Sequence, residues 1–138
     1  MSYNIFISLS RKDLQLAEEV AQKLKQIGVR VHPPVKRSAI VAETITTGIP
    51  PGLSEADEVI LIVTNNSVDN QRLASLMGIA HSLQKPVTPL VNGLKKDELP
   101  SIIKHTEYVK YEELSRYISK LKKRVTEKRA LEMQAKAS

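Results

Sequence analysis

The sequence predicts an α/β sandwich: a five-stranded parallel sheet, strand order 2-1-3-4-5, covered by helices on both faces. Three observations carry that prediction. Short apolar, β-branched runs alternate along the chain with stretches whose apolar residues recur at helical spacing. One of those runs, Glu58–Thr64 (EVILIVT), is almost continuously apolar, as in a strand buried on both faces. The length, 138 residues, suits one domain that can bury a core without staples.

Taken in order, Tyr3–Ser8 is the heart of the first strand. In the following stretch Leu16, Val20, Leu24 and Ile27 share one helical face, and Gly28 is a C-terminal stop. Val29–His32 makes a second strand, ended by Pro33–Pro34, so a right-handed βαβ unit is expected. Pro33–Ala42 reads as a loop, with Ser38 capping a short helix through Ala39–Ile45. Pro50–Pro51 lack amide protons and argue against one long regular helix there. After the third strand, Asn65, Asn66, Ser67 and Asp69 offer cap chemistry for a helix from Asn70 to Leu83. Pro86–Val91 is the fourth strand, and Pro89 places it near an edge or a strand end. Asn92–His105 is a loop with one helical turn, and Glu107–Tyr111 a fifth strand. The last helix starts at Glu112, with Leu114, Ile118, Leu121 and Val125 one turn apart. The pattern weakens past Thr126, which divides the chain into a domain, 1–125, and a basic helical extension or tail, 126–138. This winding is flavodoxin-like, and ligands in such sheets sit outside the carboxyl ends of the strands. Those ends are Ser8–Arg11, His32–Arg37, Thr64–Ser67 and Val91–Gly93.

Composition removes several chemistries. With no Cys there is no disulfide, thiolate ligand or Cys nucleophile, which fits a cytoplasmic setting. The start, MSYNIFISLSRKD, reads as neither a signal peptide nor a membrane span. His32, His81 and His105 match no short metal motif, so no metal is expected. No G-x-S-x-G elbow, G-x-G-x-x-G turn or P-loop is present. A phosphorelay receiver needs acids after the first and third strands, where this chain has Leu9–Ser10 and Thr64–Asn65. The net charge of +6 favours acidic partners, nucleic acid among them, or is ordinary solvation. Its two groups are Lys36–Arg37 and the last-helix set Lys120, Lys122, Lys123, Arg124, Lys128 and Arg129. No aromatic residue is interleaved with the second group, so stacking on single-stranded nucleic acid is not supported.

Several segments, in order, resemble those of Toll/interleukin-1 receptor (TIR) domains of the bacterial kind. Asn4–Ser8 with Ser10 and Asp13 is similar to the family's opening motif, and Gly28–Val31 to its second strand. Ala56–Thr64 resembles its third strand, and Gly78–Ala80 with Lys85–Val87 its ExGxAxxxxKPVIP segment. The resemblance covers roughly residues 3–125. It implies one of two activities: assembly by self-association, or cleavage of NAD at the nicotinamide–ribose bond. The enzymatic members use a Glu on the helix after the third strand, four residues after a Trp and two before a Gly. Laid on Gly78, the Glu position falls on Leu76 and the Trp position on Arg72. Leu76 has no proton to exchange and no charge to offer, a loss of ~10²–10⁴-fold for a missing general acid or base. Residues 70–83 contain no Asp or Glu at all. Asp69 reads as a helix cap, which leaves Glu43 as the substitute acid.

The resulting expectation is a non-catalytic TIR-like signalling and assembly module that self-associates or binds another TIR-like protein. Its interaction residues are Lys36 and Arg37, which resemblance places in the family's self-association loop, with Arg72 and Met77 on the Asn70–Leu83 helix. Ser8, Ser10, Arg11 and Asn65 are the residues for a nucleotide, NAD or a relative, held without cleavage; no resident cofactor is expected. The alternatives are an NAD-cleaving or other nucleotide-processing enzyme of this family, using Glu43 or a carboxylate supplied by another subunit, and a basic nucleic-acid-associated protein.

Overall fold

A computed structural model describes residues 3–44, 48–67 and 70–137. Its five strands form one parallel sheet in the order β2-β1-β3-β4-β5. They are β1 (Tyr3–Ser8), β2 (Val29–Val31), β3 (Glu58–Val63), β4 (Val87–Val91) and β5 (Val109–Lys110). The helices are α1 (Leu14–Gln26), α2 (Val35–Thr44), α3 (Asn70–Ser82), α4 (Ser101–Lys104) and α5 (Leu114–Ala137).

Period-two alternation divides the core between the two faces of the sheet. Ile5, Ile7, Ile60 and Ile62 pack with Val20 and Leu24 of α1 and with Leu121 and Val125 of α5. Val35 and Ala39 of α2 join the same cluster. On the other face, Leu61, Val63 and Val91 meet Leu73 of α3 and Ile103 of α4. All six residues of β3 are buried: the apolar run Val59–Val63 as expected, and Glu58 ahead of it as well.

Three expectations need correction. The helix after the second strand begins at Val35, not beyond Ser38. Pro34 starts its hydrogen bonding, its carbonyl accepting from the amides of Arg37 and Ser38. Ser38 therefore lies inside the helix and caps nothing, and its buried hydroxyl has no hydrogen-bond partner. Second, Lys36 and Arg37 consequently sit on a helical turn instead of a loop. Third, the fifth strand has two residues, because only Val109 and Lys110 pair with β4. The fourth strand, β4, lies next to the edge strand β5, as expected of a strand near an edge. Pro89 is tolerated there for a local reason. Pro86 and Asn92 bond toward β3, so by alternation the missing amide of Pro89 faces the β5 side. Pairing with β5 starts only at Leu90.

Of the positive-φ glycines, two also leave no room for a Cβ. Gly28 ends α1 at φ +82°, beside the Arg129 guanidinium. Gly52, at φ +89°, sits in the turn before β3, where an added Cβ would lie 2.4 Å from Pro33 Cδ. Gly52→Ala is expected to lower the unfolding free energy by about 2 kcal/mol, through a strained φ and a clash with a buried ring. Urea denaturation checks this; an unchanged midpoint would mean that the turn simply shifts.

Candidate functional site

The carboxyl ends of β1 and β3 are knotted together by one carboxylate. Ser10, in an extended conformation, caps a short 3-10 turn (Arg11–Asp13), its Oγ accepting from the Lys12 amide at 3.4 Å. The Asp13 amide donates to the Ser10 carbonyl at 2.8 Å, which aims the Asp13 side chain at the loop after β3. There Thr64 Oγ1 donates to one carboxylate oxygen at 2.6 Å and Asn66 Nδ2 to the other at 2.8 Å. Thr64 Oγ1 also accepts from the Asn66 amide, and the Thr64 amide donates to Ser67 Oγ at 2.8 Å. Ser67 Oγ in turn donates to the Ile62 carbonyl at 3.1 Å. Asp13 is buried, and its place at the N-terminus of α1 gives its charge a favourable dipole.

The four residues expected to hold a nucleotide surround this knot. Ser8 ends β1 and is half-buried, Ser10 is half-buried in the turn, and Arg11 and Asn65 are exposed on the two loops. Sequence reasoning assigned Asp13 no role at the site. Its spacing from Ser10 was visible, but its partners lie more than 50 positions away. Asp13→Ala should cost about 2–3 kcal/mol, because two donors lose their acceptor and Thr64 is buried. Asp13→Asn, which keeps one acceptor, should cost roughly half as much in the same denaturation assay. Equal losses would count against the hydrogen-bond explanation.

The other expected residues lie elsewhere. Leu76 is half-buried on α3 and packs against both clusters on that side of the sheet. Met77 packs against the Leu61–Val63 cluster, and Arg72 is exposed one turn earlier. Glu43 falls in the last turn of α2, and its side chain is outside what is described. Asp69 lies outside the described residues, as does Ile45. His32 is half-buried at the end of β2, and His81 and His105 are exposed. Among the described residues no group of three His, Asp or Glu could hold a metal ion.

A second polar cluster, unforeseen in the sequence, lies at the amino ends of the strands. Glu58, the first residue of β3, is buried. Arg124 of α5 grips it with two hydrogen bonds of 2.9 Å. The Tyr3 hydroxyl also donates to Glu58, and that of Tyr117 donates at 3.4 Å. Burial, reinforced by the Glu58 carboxylate, pushes the Tyr117 hydroxyl up to about 12 and raises that of Tyr3 further. Hydrogen bonding to Glu58 holds the Arg124 guanidinium above its ordinary range. Next to this pair, Lys128 Nζ lies 2.6 Å from Asp57 and 5.3 Å from the centre of the Tyr3 ring. Arg129 donates to the Gly28 carbonyl at 2.9 Å. Three of the six last-helix cations, Arg124, Lys128 and Arg129, are thus engaged within the chain.

The family model for the TIR domain matches residues 5–124, from β1 into α5. The chain belongs to the TIR-domain family. No curated protein matches it. The matched span contains the sheet from Ile5 onward, the Asp13 knot and the Glu58–Arg124 pair, while α5 continues to Ala137. Membership supports a signalling or adaptor-type module, and TIR domains generally interact with other TIR domains. No helix among the described residues is long and apolar enough to cross a membrane.

Proposed function

We propose that this TIR domain is a cytoplasmic assembly module that self-associates and does not cleave NAD. The observation that carries the reading is on α2. Lys36 and Arg37 are exposed on its first turn, and one turn later Ile40 is 63 % exposed. An exposed large aliphatic residue with a cationic rim is an interaction patch in miniature. At the far edge of the sheet, Glu112 and Glu113 are consecutive and exposed, in the turn after β5. α2 follows β2, so the basic patch and the acidic pair belong to opposite edges of the sheet at its carboxyl end. Two different patches on opposite edges favour heterologous, head-to-tail contact, which propagates instead of closing as a two-fold dimer. Arg72 and Met77 on α3 are further contact residues in this reading.

In the same reading Leu76 stands where enzymatic relatives carry Glu. Its packing against two apolar clusters supports a structural role there. Ser8, Ser10, Arg11 and Asn65 would hold a nucleotide without acting on it. Purified protein incubated with NAD at high concentration should release no nicotinamide above a protein-free control. Release that survives repurification and disappears in Glu43→Gln would replace this reading with the enzymatic one.

Sedimentation velocity tests the assembly. Weight-average mass should rise with concentration, and Lys36→Glu with Arg37→Glu should weaken association about tenfold or more. Glu112→Lys with Glu113→Lys should restore it when mixed with the first variant. A concentration-independent monomer from the unaltered protein would sink the proposal.

A further inference from the structure

The end of α5 is attached differently from its beginning. Leu114, Tyr117, Leu121 and Val125 are buried in the core, but no described residue after Val125 is buried. Past that point the helix reaches the amino ends of the sheet through Lys128 and Arg129. Lys128 pairs with Asp57 just before β3 and lies over Tyr3 at the start of β1. Arg129 bonds to Gly28 just before β2. Lys128 also lies 3.9 Å from Glu132 on the next turn. The side chains of Lys128 and Asp57 are 36 % and 24 % exposed, so water and salt reach the pair. Leu131 and Met133, on the turns beyond, are 66 % and 72 % exposed and add no burial.

We propose that residues 126–137 form a strap held across the amino ends of β1, β2 and β3 by the Lys128–Asp57 pair, and that it opens as a unit while the domain stays folded. This goes beyond the assembly reading and does not depend on it. The hinge lies between two unlike anchors. On one side, Val125 is core and Arg124 is locked onto the buried Glu58. On the other, the partly exposed ion pair contributes little to stability, and salt weakens it further. A twelve-residue helix freed of its contacts is marginal in water, so an opened strap frays. Opening uncovers Asp57, the face of the Tyr3 ring and the Gly28 carbonyl. That surface lies at the opposite end of the sheet from the Asp13 knot.

Hydrogen exchange on the full chain, followed by mass spectrometry of peptides, tests the strap. Between 0.05 M and 1 M NaCl, amides of 128–137 should exchange about fivefold faster while those of β3 are unchanged. Lys128→Gln at low salt should reproduce the acceleration, and Asp57→Asn should do so independently. Tryptic cleavage after Lys128 or Arg129 should rise in parallel. Salt-independent protection of 128–137 would overturn the proposal. So would protection lost together with that of β3, because α5 would then be one cooperative piece of the domain.

Discussion

Replacing Arg124 by Met is expected to destabilise the domain by about 3 kcal/mol, and Glu58→Gln by only about 1–2 kcal/mol. The asymmetry follows from which partner is buried. The Glu58 side chain is 4 % exposed, whereas that of Arg124 is 42 % exposed. Without Arg124, a carboxylate is left in the core with two tyrosine hydroxyls as its side-chain donors among the described residues. Without the Glu58 charge, the guanidinium can still be solvated, and the amide oxygen of Gln still accepts hydrogen bonds. Met keeps much of the length of the Arg stem, which covers apolar surface, so the difference reports charge more than packing. Equilibrium urea unfolding of the two variants decides the matter. If Glu58→Gln proves the more damaging, the burial argument fails.

Alkaline pH should be the second large perturbation. In the unfolded chain Tyr117 ionises near pH 10; in the fold, burial and then the Glu58 charge raise it to about 12. A raised folded value means that the folded state holds its proton more tightly. The stabilisation is complete below pH 10 and is lost as pH climbs toward 12, because only the unfolded chain gains by deprotonating. Two pH units correspond to about 2–3 kcal/mol. Tyr3, shifted in the same direction by burial and its bond to Glu58, adds to the loss. Thermal melts by circular dichroism from pH 9 to 12 should show the midpoint falling steeply above pH 10. Lysines deprotonate in the same window, so the control is Tyr117→Phe, whose curve should be flatter. Parallel curves for the two proteins would remove Tyr117 from the explanation.

Different amounts of local and distant information explain what could be read in advance. The helical face Leu16–Val20–Leu24–Ile27 and the apolar run of β3 are local patterns, and each gave its element within a residue or two. Helix α2 was misplaced because Ser38 resembles a cap, while Val35 and Ala39 bury against α1 and draw the helix start back to Val35. The Glu107–Tyr111 strand was overdrawn because β propensity says nothing about how far a neighbouring strand extends. Asp13 and Glu58 looked like an ordinary helix-start acid and an ordinary strand-start acid.

For this protein, then, sequence alone determined the strand and helix order, the parallel winding and the absence of any acid on helix α3. It also carried the family resemblance, because periodicity and motif order are properties of neighbours along the chain. Tertiary structure decided which polar residues do structural work. Asp13 joins Thr64 and Asn66, and Glu58 joins Tyr3, Tyr117 and Arg124, across separations of more than 50 residues. A charge is committed or free only according to what the fold places beside it. That is why Arg124, Lys128 and Arg129 read as a basic surface in the sequence and serve as fastenings in the fold.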